Sequence, residues 1–307
     1  RILKFALAGV KTQTKVYMKV LLFARRFDQS TIPKLKNLLS KLKINGFNPV
    51  FYAPFYNTIA PEIGSGYSCI SQDELHHDSI DFIFSIGGDG TLLECVPLVK
   101  ERCIPVIGFN TGRLGFLSTI GSHEIDEALL SLKQGEYTIE TRSMVKITSP
   151  LGSLGEFPYA LNEISIQKDY PTSMLSINVY VNDKFLNTYW GDGLLLSTPT
   201  GSTAYSLSCG GPMVSPDSQT LIITPIAGHN LTIRPIVIPD TSKIRLIPDG
   251  RDRQFILGLD SRTIVIPTST EIMIEKAEFG LKLVRLNNRD FFSTIRAKLA
   301  WGLDIRN

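Results

Sequence analysis

The segment Asp81-Phe-Ile-Phe-Ser-Ile86 runs directly into Gly87-Gly-Asp-Gly90, and residues 91–99 follow with the composition of a helix. A short, continuous apolar run bounded by glycines predicts a fully buried strand that ends in a turn. The stretch therefore predicts a strand, a glycine-rich loop and a helix in succession. That unit is the building block of a parallel sheet covered by helices.

The residues on either side of this stretch repeat the alternation. Further strands are predicted at 20–24, 48–52 and 104–109. Apolar residues at helical spacing predict a helix over 32–42, and Ser122, followed by acidic residues, predicts the start of another. The stretch around 61–71 has the composition of a loop. We therefore predict an α/β N-terminal domain over 18–143, Rossmann-like, with a mostly parallel sheet.

The pattern changes from about Met144 onward. Apolar and polar residues alternate over 175–181, and β-branched runs recur at 221–226, 233–238, 244–247, 263–266 and 272–274. This pattern predicts a β-rich C-terminal domain over 144–280. Asp290 is a candidate helix cap, so we predict that a segment over 281–307 packs back on the α/β domain. Residues 1–17 are expected to be a non-core extension, because the first predicted strand opens at Met18.

The composition excludes several classes of protein. With 43% hydrophobic and 20% charged residues over 307 positions, the chain has the composition of a compact, folded protein. A formal net charge of +3 is too small for the whole surface to bind nucleic acid or a membrane. No stretch approaches the roughly 18 to 20 apolar residues of a membrane helix. We expect a cytoplasmic protein with neither nucleic acid nor a membrane as partner.

The motifs of several common sites are missing from the sequence. The four cysteines and four histidines form no Cys-x-x-Cys, His-x-x-x-His or His-Glu-x-x-His arrangement. A disulfide framework, or a transition-metal site built from protein side chains alone, is therefore not expected. Neither Gly-x-x-x-x-Gly-Lys-Ser/Thr nor Gly-x-Gly-x-x-Gly occurs, so a Walker-type ATPase and a standard Rossmann dehydrogenase are not supported.

The glycine-rich loop at 87–90 is the most informative stretch for function. Glycines let backbone N–H groups approach a ligand without a Cβ atom in the way, and the positive end of the following helix suits phosphate oxygens. Such a loop, at the carboxyl end of a buried parallel strand, lies where open α/β sheets bind ligands. Asp89 opposes phosphate binding unless a metal or a proton transfer is involved. We interpret the loop as a phosphate site, with a structural turn as the alternative.

A second concentration of polar residues lies between Ser197 and Ser208. It combines many hydroxyl side chains with small residues that leave backbone amides accessible, which suits hydrogen bonding to a sugar and a purine edge. An ordinary turn explains 199–201 alone but not the whole run. Asn162 and Glu163 supply an amide and a carboxylate that could hold the two hydroxyls of a ribose. For that dipeptide by itself, a surface turn is the alternative.

Together these segments resemble the NAD kinase family. The matching stretches are Gly-Gly-Asp-Gly-Thr at 87–91, Phe-Asn-Thr-Gly-Arg-Leu-Gly-Phe-Leu at 109–117, Asn162-Glu163, and Asp192-Gly193 through Ser208, in the family's order and over about residues 18–302. The first stretch is shared with diacylglycerol- and sphingosine-type lipid kinases and, in variant form, with phosphofructokinases. The run Thr-Pro-Thr-Gly-Ser-Thr-Ala-Tyr at 198–205 narrows the resemblance to NAD kinases.

The resemblance implies an enzyme that transfers the γ-phosphoryl group of ATP to the 2′-hydroxyl of the adenosine ribose of NAD. Asp89 would be the general base. A divalent ion, usually magnesium, would neutralise charge on the transferred group, with no side chain assigned to it. Asp192 would reach a dinucleotide in a neighbouring subunit, which implies a homodimer or homotetramer. The implied nucleotide-binding residues are Gly87, Gly88, Asp89, Gly90, Thr91, Phe116, Asn162, Glu163, Ser173, Asp192, Thr200, Thr203, Ala204, Tyr205, Ser206, Leu207, Ser208 and Arg262.

The sequence departs from the family pattern in two places. Asp260-Ser-Arg262 stands where the family commonly has Asp-Gly-Gln, so a guanidinium replaces an amide at a dinucleotide contact. Trp190 stands where a basic or small polar residue often precedes the Asp-Gly pair. Two other functions stay open: a lipid kinase, which would need an acyl-binding groove in the β-rich domain, and a non-catalytic dinucleotide sensor, against which Asp89 argues.

Overall fold

The computed structural model describes residues 17–25, 29–112, 114–151, 155–170, 174–250, 253–286 and 290–302. The expected extension over 1–17 lies outside the described residues except for Tyr17. No helix in these ranges combines the length and the apolar character needed to cross a membrane.

A seven-stranded sheet carries the glycine-rich loop. Its strands, in spatial order, are β3 (Ser68–Ile70), β2 (Phe47–Tyr52), β1 (Met18–Phe23), β4 (Phe82–Ile86), β5 (Val106–Phe109), β19 (Leu281–Leu286) and β6 (Tyr137–Arg142). All neighbours pair in parallel except β19 and β6, which are antiparallel. The α-helices of this part are α1 (Ile32–Ile44), α2 (Ala53–Ile63), α3 (Asp89–Val99), α4 (Ile125–Gln134) and α6 (Phe291–Leu299).

Helices cover both faces of this sheet. In β1, Leu22 packs in one apolar cluster with α1 and α4, whereas Leu21 packs in another with α3. Every residue of β4 is buried, as expected for a central parallel strand covered on both sides. The prediction of a mostly parallel α/β domain is therefore confirmed.

The prediction of a loop around 61–71 is wrong at both ends. Helix α2 continues to Ile63, and β3 begins at Ser68. Phe55 and Ile59, one turn apart, bury the same face of α2, and Gly64 ends the helix with φ of +87°. Burial of that face keeps the last turn helical in spite of Pro61.

The β-rich part consists of two antiparallel sheets of six strands each within the described residues. One contains β11 (Lys184–Gly191), β10 (Leu175–Val181), β15 (Ile244–Gly250), β18 (Ile272–Lys276), β7 (Val145–Ser149) and β8 (Tyr159–Ala160). The other contains β14 (Ile236–Pro239), β13 (Thr220–Ile226), β12 (Gly193–Ser197), β9 (Glu163–Lys168), β16 (Gln254–Leu259) and β17 (Arg262–Pro267). Inward residues of both, such as Ile177 and Leu194, share one apolar core, which confirms the predicted alternation over 175–181.

The chain returns to the first sheet at its C-terminal end, as predicted. Strand β19 lies between β5 and β6. Helix α6 then begins with a capping box, in which the Asp290 carboxylate accepts the N–H of Ser293 at 2.6 Å and the Ser293 hydroxyl accepts the N–H of Asp290 at 3.2 Å. Ile295 anchors the helix by burial. The C-terminal helix is thereby held against the domain that carries the glycine-rich loop.

Candidate active site

The glycine-rich loop joins β4 to α3 and leaves open space before the helix. At Gly87, with φ of +155°, a Cβ atom would lie 2.3 Å from Oγ1 of Thr91, so the position accepts no side chain. Cβ atoms at Gly88 and Gly90 would meet nothing within 4 Å. Helix α3 begins at Asp89, two residues before the predicted start, and its first N–H groups have no partner within the helix. This geometry suits the approach of phosphate oxygens to backbone amides.

Backbone amides of one distant loop hold the Asp89 carboxylate. Oδ2 accepts the N–H of Phe116 at 2.8 Å, and Oδ1 accepts those of Leu117 at 3.0 Å and Ser118 at 2.9 Å. A Cβ atom at Gly115 would lie only 1.9 Å from Oδ1, so glycine lets the loop close around the carboxylate. The Asp89 side chain is nevertheless 28% exposed, which leaves it accessible from one side.

Contacts on its far side fix the loop that holds Asp89. The N–H of Asn110 donates to the carbonyl of Ile120 at 2.7 Å, which closes the loop at its base. The guanidinium of Arg285, on β19, donates to the carbonyl of Phe116 at 3.0 Å and to the carboxylate of Glu140 at 3.1 Å. The orientation of the Asp89 carboxylate therefore depends on β5, β6 and β19 together.

Lys298, near the end of α6, is a cation beside this carboxylate. Its Nζ lies 3.8 Å from Oδ2 of Asp89 and 4.9 Å from the centroid of the Phe116 ring. The lysine side chain is 34% exposed. A cation over an aromatic face is attracted by the ring quadrupole, so Phe116 helps to fix the ammonium next to Asp89.

A second aspartate, Asp260, is held in the same manner in the β-rich part. It occupies the turn between β16 and β17, and its carboxylate accepts the N–H groups of Leu161 at 2.8 Å, Asn162 at 2.7 Å and Glu163 at 3.2 Å. Burial raises the pKa of Asp260, whereas the three amides lower it. The turn thus fixes the backbone of the Asn162-Glu163 pair.

The Glu163 carboxyl is buried beside Asp260. Burial, and then the negative charge of Asp260, raise its pKa to about 8. Its Oε2 atom is buried without a hydrogen-bond partner among the described residues. Burial also raises the pKa of Tyr205 and of Cys209, and the charge of Glu163 adds to both shifts, which places these side chains close together. At neutral pH the Glu163 carboxyl is mostly protonated and can donate a hydrogen bond.

Arg262 contacts the protein itself. Its guanidinium donates to the carbonyl of Phe157 at 2.5 Å and to that of Tyr159, and it lies 5.0 Å from the Phe157 ring centroid. Burial lowers the pKa of Arg262. Both terminal nitrogens of the guanidinium are thus engaged at the position where the sequence implied a dinucleotide contact.

Many hydroxyls of the run from Ser197 to Ser208 are used inside the fold. Thr198 donates to the carbonyl of Leu161 at 2.6 Å, Ser202 donates to that of Pro199 at 2.7 Å, and Ser206 pairs with Thr224 at 2.9 Å. A Cβ atom at Gly201 would lie 2.0 Å from the carbonyl of Asn162, so the run packs closely against that residue. Accessible positions of the run are Thr203, Ala204, Tyr205, Leu207 and Ser208.

A narrow cavity brings the two predicted segments together. Phe116 and Leu117 of the loop that holds Asp89 line it from one side, and Thr200 and Thr203 from the other. Oγ1 of Thr200 is buried there without a partner in the described chain. Asp192 is not among the residues that line this cavity. Its carboxylate forms a salt bridge with Lys168 at 2.6 Å, and its charge adds to the raised pKa of Tyr205. Ser173 lies outside the described residues.

The described residues contain no cluster of three or more His, Cys, Asp or Glu that could hold a metal ion. Magnesium usually keeps several waters and binds through one or two carboxylates together with substrate phosphates. Asp89, at the glycine-rich loop, is such a carboxylate. The residues therefore fit an ion that arrives with a nucleotide, rather than one held by an all-protein cage.

Three residues of the site were not identified as such from the sequence. In the sequence, Asp260 belongs to the Asp-Ser-Arg triplet that departs from the family pattern, and no positioning role is predicted for it. Arg285 and Lys298 lie almost 200 residues or more beyond the glycine-rich loop. No local pattern marks the last two, because their placement results from the return of β19 and α6 to the first sheet.

Two family models and several curated proteins match this chain. Residues 56–137 match the family model of the ATP-NAD kinase N-terminal domain, and residues 161–286 match that of the ATP-NAD kinase C-terminal domain. The NAD kinase of Cytophaga hutchinsonii is 38% identical over 292 residues, which cover 93% of this chain and 99% of that protein. The NAD kinase of Bacteroides fragilis is 44% identical over 234 residues, 76% of this chain and 80% of that protein.

Two solved structures share the fold. Yeast NADH kinase complexed with NADH superposes with a TM-score of 0.83 at 22% identity, covering 94% of this chain and 89% of that one. An NAD kinase from Archaeoglobus fulgidus in complex with ATP gives a TM-score of 0.68 at 24% identity, covering 91% and 99%. At these identities the two likenesses support the architecture.

Proposed function

The chain belongs to the NAD kinase family, and from that membership we infer that it transfers the γ-phosphoryl group of ATP to the 2′-hydroxyl of the adenosine ribose of NAD, giving NADP and ADP. The observation that carries the inference is the position of Asp89, a partly exposed carboxylate at the N-terminus of α3 beside the open space at Gly88 and Gly90. There a proton acceptor adjoins backbone amides that suit phosphate oxygens.

We propose that Asp89 is the general base. A carboxylate has about four lone-pair sites, and the three amides of Phe116, Leu117 and Ser118 use three of them. The remaining site, on Oδ2, can accept the 2′-hydroxyl proton. The 2′ oxygen then forms its bond to the γ-phosphorus as the bond from that phosphorus to the bridging oxygen breaks, and ADP leaves with the electron pair.

A divalent ion, which we propose to be magnesium, would supply positive charge to the γ-phosphoryl oxygens when bound with ATP. The donors available to it are the phosphates of the nucleotide and water, since the open lone-pair site of Asp89 is assigned to the 2′-hydroxyl proton. The amides at the start of α3 would bind phosphate oxygens beside it.

The NAD pocket is proposed to lie along the accessible face of the hydroxyl-rich run. Thr203, Tyr205 and Ser208 are accessible there, and Phe116 borders the same cavity as Thr203. Glu163, protonated at neutral pH, would donate to a ribose hydroxyl while Asn162 offers its amide. The Ser206 hydroxyl is already paired with Thr224, so we assign that side chain to the pocket wall.

A homodimer or homotetramer remains our proposal for the assembly. Asp192 is 44% exposed, and its carboxylate pairs with Lys168. Such a carboxylate can reach a dinucleotide held by a neighbouring subunit. Sedimentation velocity of the wild type and of Asp192→Ala, with and without NAD, tests whether this residue couples assembly to ligand.

The experiment that tests the function offers ATP and magnesium together with NAD, NADH or a diacylglycerol. NADP formation is read through an NADP-specific dehydrogenase, and ADP formation is read in parallel. We expect ADP and NADP in equal amounts with NAD. ADP with the lipid alone would indicate a lipid kinase, and NAD binding without ADP would indicate a sensor.

A further inference from the structure

Lys298 and Asp89 form a cation–carboxylate pair at the place where the phosphoryl group must move. Nζ of Lys298 lies 3.8 Å from Oδ2 of Asp89. This is the same oxygen whose second lone-pair site is left open, since Oδ2 accepts a single backbone N–H from Phe116 whereas Oδ1 accepts two. The ammonium therefore borders the side of the carboxylate that faces substrate.

Helix α6 presents this ammonium from a fixed position. The capping box at Asp290 and Ser293 starts the helix, Ile295 is buried, and the Phe116 ring lies 4.9 Å from Nζ. A surface lysine pairs with a carboxylate at little gain in free energy. Here both side chains are about two-thirds buried, and the aromatic face restrains the cation, so the arrangement differs from an exposed ion pair.

The distances place the γ-phosphoryl group within reach of Lys298. A general base lies about 2.6–3.2 Å from the oxygen that it deprotonates, and reacting atoms approach to about 3–3.5 Å. The phosphorus must then lie within about 6–7 Å of the Asp89 carboxylate. A lysine side chain can swing its ammonium from the carboxylate to phosphoryl oxygens over such a distance without movement of α6.

Electrostatics favours a cation beside the carboxylate, in addition to the divalent ion that would bind with ATP. The γ-phosphoryl oxygens carry negative charge and approach a carboxylate of the same sign, which opposes the reaction. The pairing in the absence of nucleotide gives Asp89 a counter-charge, and transfer of the ammonium to the phosphoryl group would leave the carboxylate free to accept the proton.

We propose that Lys298 is a second catalytic residue, which binds the γ-phosphoryl oxygens during transfer and holds Asp89 in its paired form before ATP enters. The inference rests on the proposed function. The ammonium stays protonated throughout: the proton from the 2′-hydroxyl goes to Asp89, and the electron pair leaves with ADP. The charge of Lys298 does not change during the reaction, and its ammonium pairs with Asp89 again when the products dissociate.

The test compares Lys298→Met, Lys298→Arg and Arg296→Gln with the wild type. Methionine keeps an unbranched stem over Phe116 without the charge, arginine restores a cation, and Arg296 is an exposed cation on the same helix. Removal of one group that stabilises the transition state lowers kcat about 100-fold or more. We expect that loss for Lys298→Met, with the KM for NAD within about twofold of the wild type, and a recovery of at least tenfold for Lys298→Arg. Arg296→Gln should match the wild type.

The outcomes separate this inference from the function on which it rests. If the wild type forms no NADP, the proposed function fails and the inference fails with it. If the wild type is active and Lys298→Met keeps its kcat, the inference alone is overturned. A raised KM for NAD or a lowered melting temperature with unchanged kcat would show that Lys298 only supports packing, and would also overturn it.

Discussion

Two aspartates in this molecule are bound in the same way but stand in different surroundings. Asp89 and Asp260 each accept three consecutive backbone N–H groups, the first from residues 116–118 and the second from 161–163. Asp89 is 28% exposed and faces a loop with open space. Asp260 lies in a half-buried turn of the β-rich part, near Arg262, where desolvation raises its pKa.

The difference shows that hydrogen bonding alone does not distinguish a reactive carboxylate from a structural one. Both groups satisfy amides that would otherwise be unpaired, and both tie two distant segments together. By the same count Asp260 also has one lone-pair site open on Oδ2 and a cation, Arg262, nearby. Asp89 differs in lying at the N-terminus of a helix, beside the open space at Gly88 and Gly90. We therefore assign proton transfer to Asp89, and to Asp260 the positioning of Asn162 and Glu163.

Asp89→Asn gives the largest expected effect and tests the first half of the comparison. Loss of a general base lowers kcat by about 100- to 10,000-fold. The asparagine oxygen still accepts backbone N–H groups, and water reaches the exposed side, so the free energy of unfolding should fall by only about 1 kcal/mol. Steady-state kinetics measure kcat, urea unfolding measures the free energy of unfolding, and isothermal titration measures the affinity for NAD.

The control for Asp89→Asn is NAD affinity, which should stay close to that of the wild type. Equal losses of turnover and NAD binding would mean that Asp89 shapes the pocket rather than takes the proton. Asp89 would then be a structural residue like Asp260, and the assignment of proton transfer to it would be wrong.

Asp260→Asn tests whether the second aspartate is structural. It should lower the free energy of unfolding more than Asp89→Asn does, and kcat much less. The amide nitrogen of asparagine would face backbone N–H donors in a half-buried turn, where desolvation already raises the pKa of the native carboxyl. We expect the free energy of unfolding to fall by about 3 kcal/mol, because hydrogen bonds from backbone N–H groups to a desolvated carboxylate stabilise the fold strongly. Urea unfolding measures the loss. At saturating NAD, kcat should remain within about tenfold of the wild type, and a larger drop without destabilisation would make Asp260 a direct participant.

The sequence was sufficient to predict the alternation of strands and helices, the glycine loop and the return of the C-terminal segment. These depend on local patterns: the apolar run at 82–86, the consecutive glycines and the cap at Asp290. It could not predict which amides hold Asp89 or that Lys298 lies beside it, since both contacts join segments far apart in the chain.

In the hydroxyl-rich run, the local composition does not predict which side chains are exposed. Its density of Ser and Thr predicted a ligand surface, yet Ser202 and Ser206 are fully buried and bonded inside the fold. Composition therefore does not separate side chains that are accessible to a ligand from those that are bonded inside the fold.

Glu163→Gln measures how far burial, and then the charge of Asp260, shift the titration of the Glu163 carboxyl. The pKa of Glu163 is about 8 in the folded protein against 4.5 for an ordinary glutamate. Between these values the folded state binds a proton that the unfolded state has lost, so the contribution to stability is complete below about pH 4.5 and falls as pH rises towards 8. Glutamine has no such titration. From pH 5.5 to 7 we expect the wild type to lose about 2 kcal/mol relative to Glu163→Gln.

Urea unfolding at several pH values gives this difference, with Glu136→Gln, at an exposed position, as the matched control. The control should follow the wild type at every pH. Parallel curves for the wild type and Glu163→Gln would mean that the Glu163 carboxyl titrates alike in the folded and unfolded states, and that neither burial nor Asp260 raises its pKa.

Arg262→Gln restores the amide that the family commonly carries and gives the smallest expected effect. In this chain the guanidinium donates to the carbonyls of Phe157 and Tyr159, so its loss should lower the free energy of unfolding by about 1 kcal/mol. Since both terminal nitrogens are engaged within the protein, the KM for NAD should change by less than about twofold. Unchanged stability with a tenfold rise in that KM would instead make Arg262 a dinucleotide contact. The Asp260 turn would then bind the dinucleotide directly. Both aspartates would belong to substrate-binding segments, and Asp260 could no longer be called purely structural.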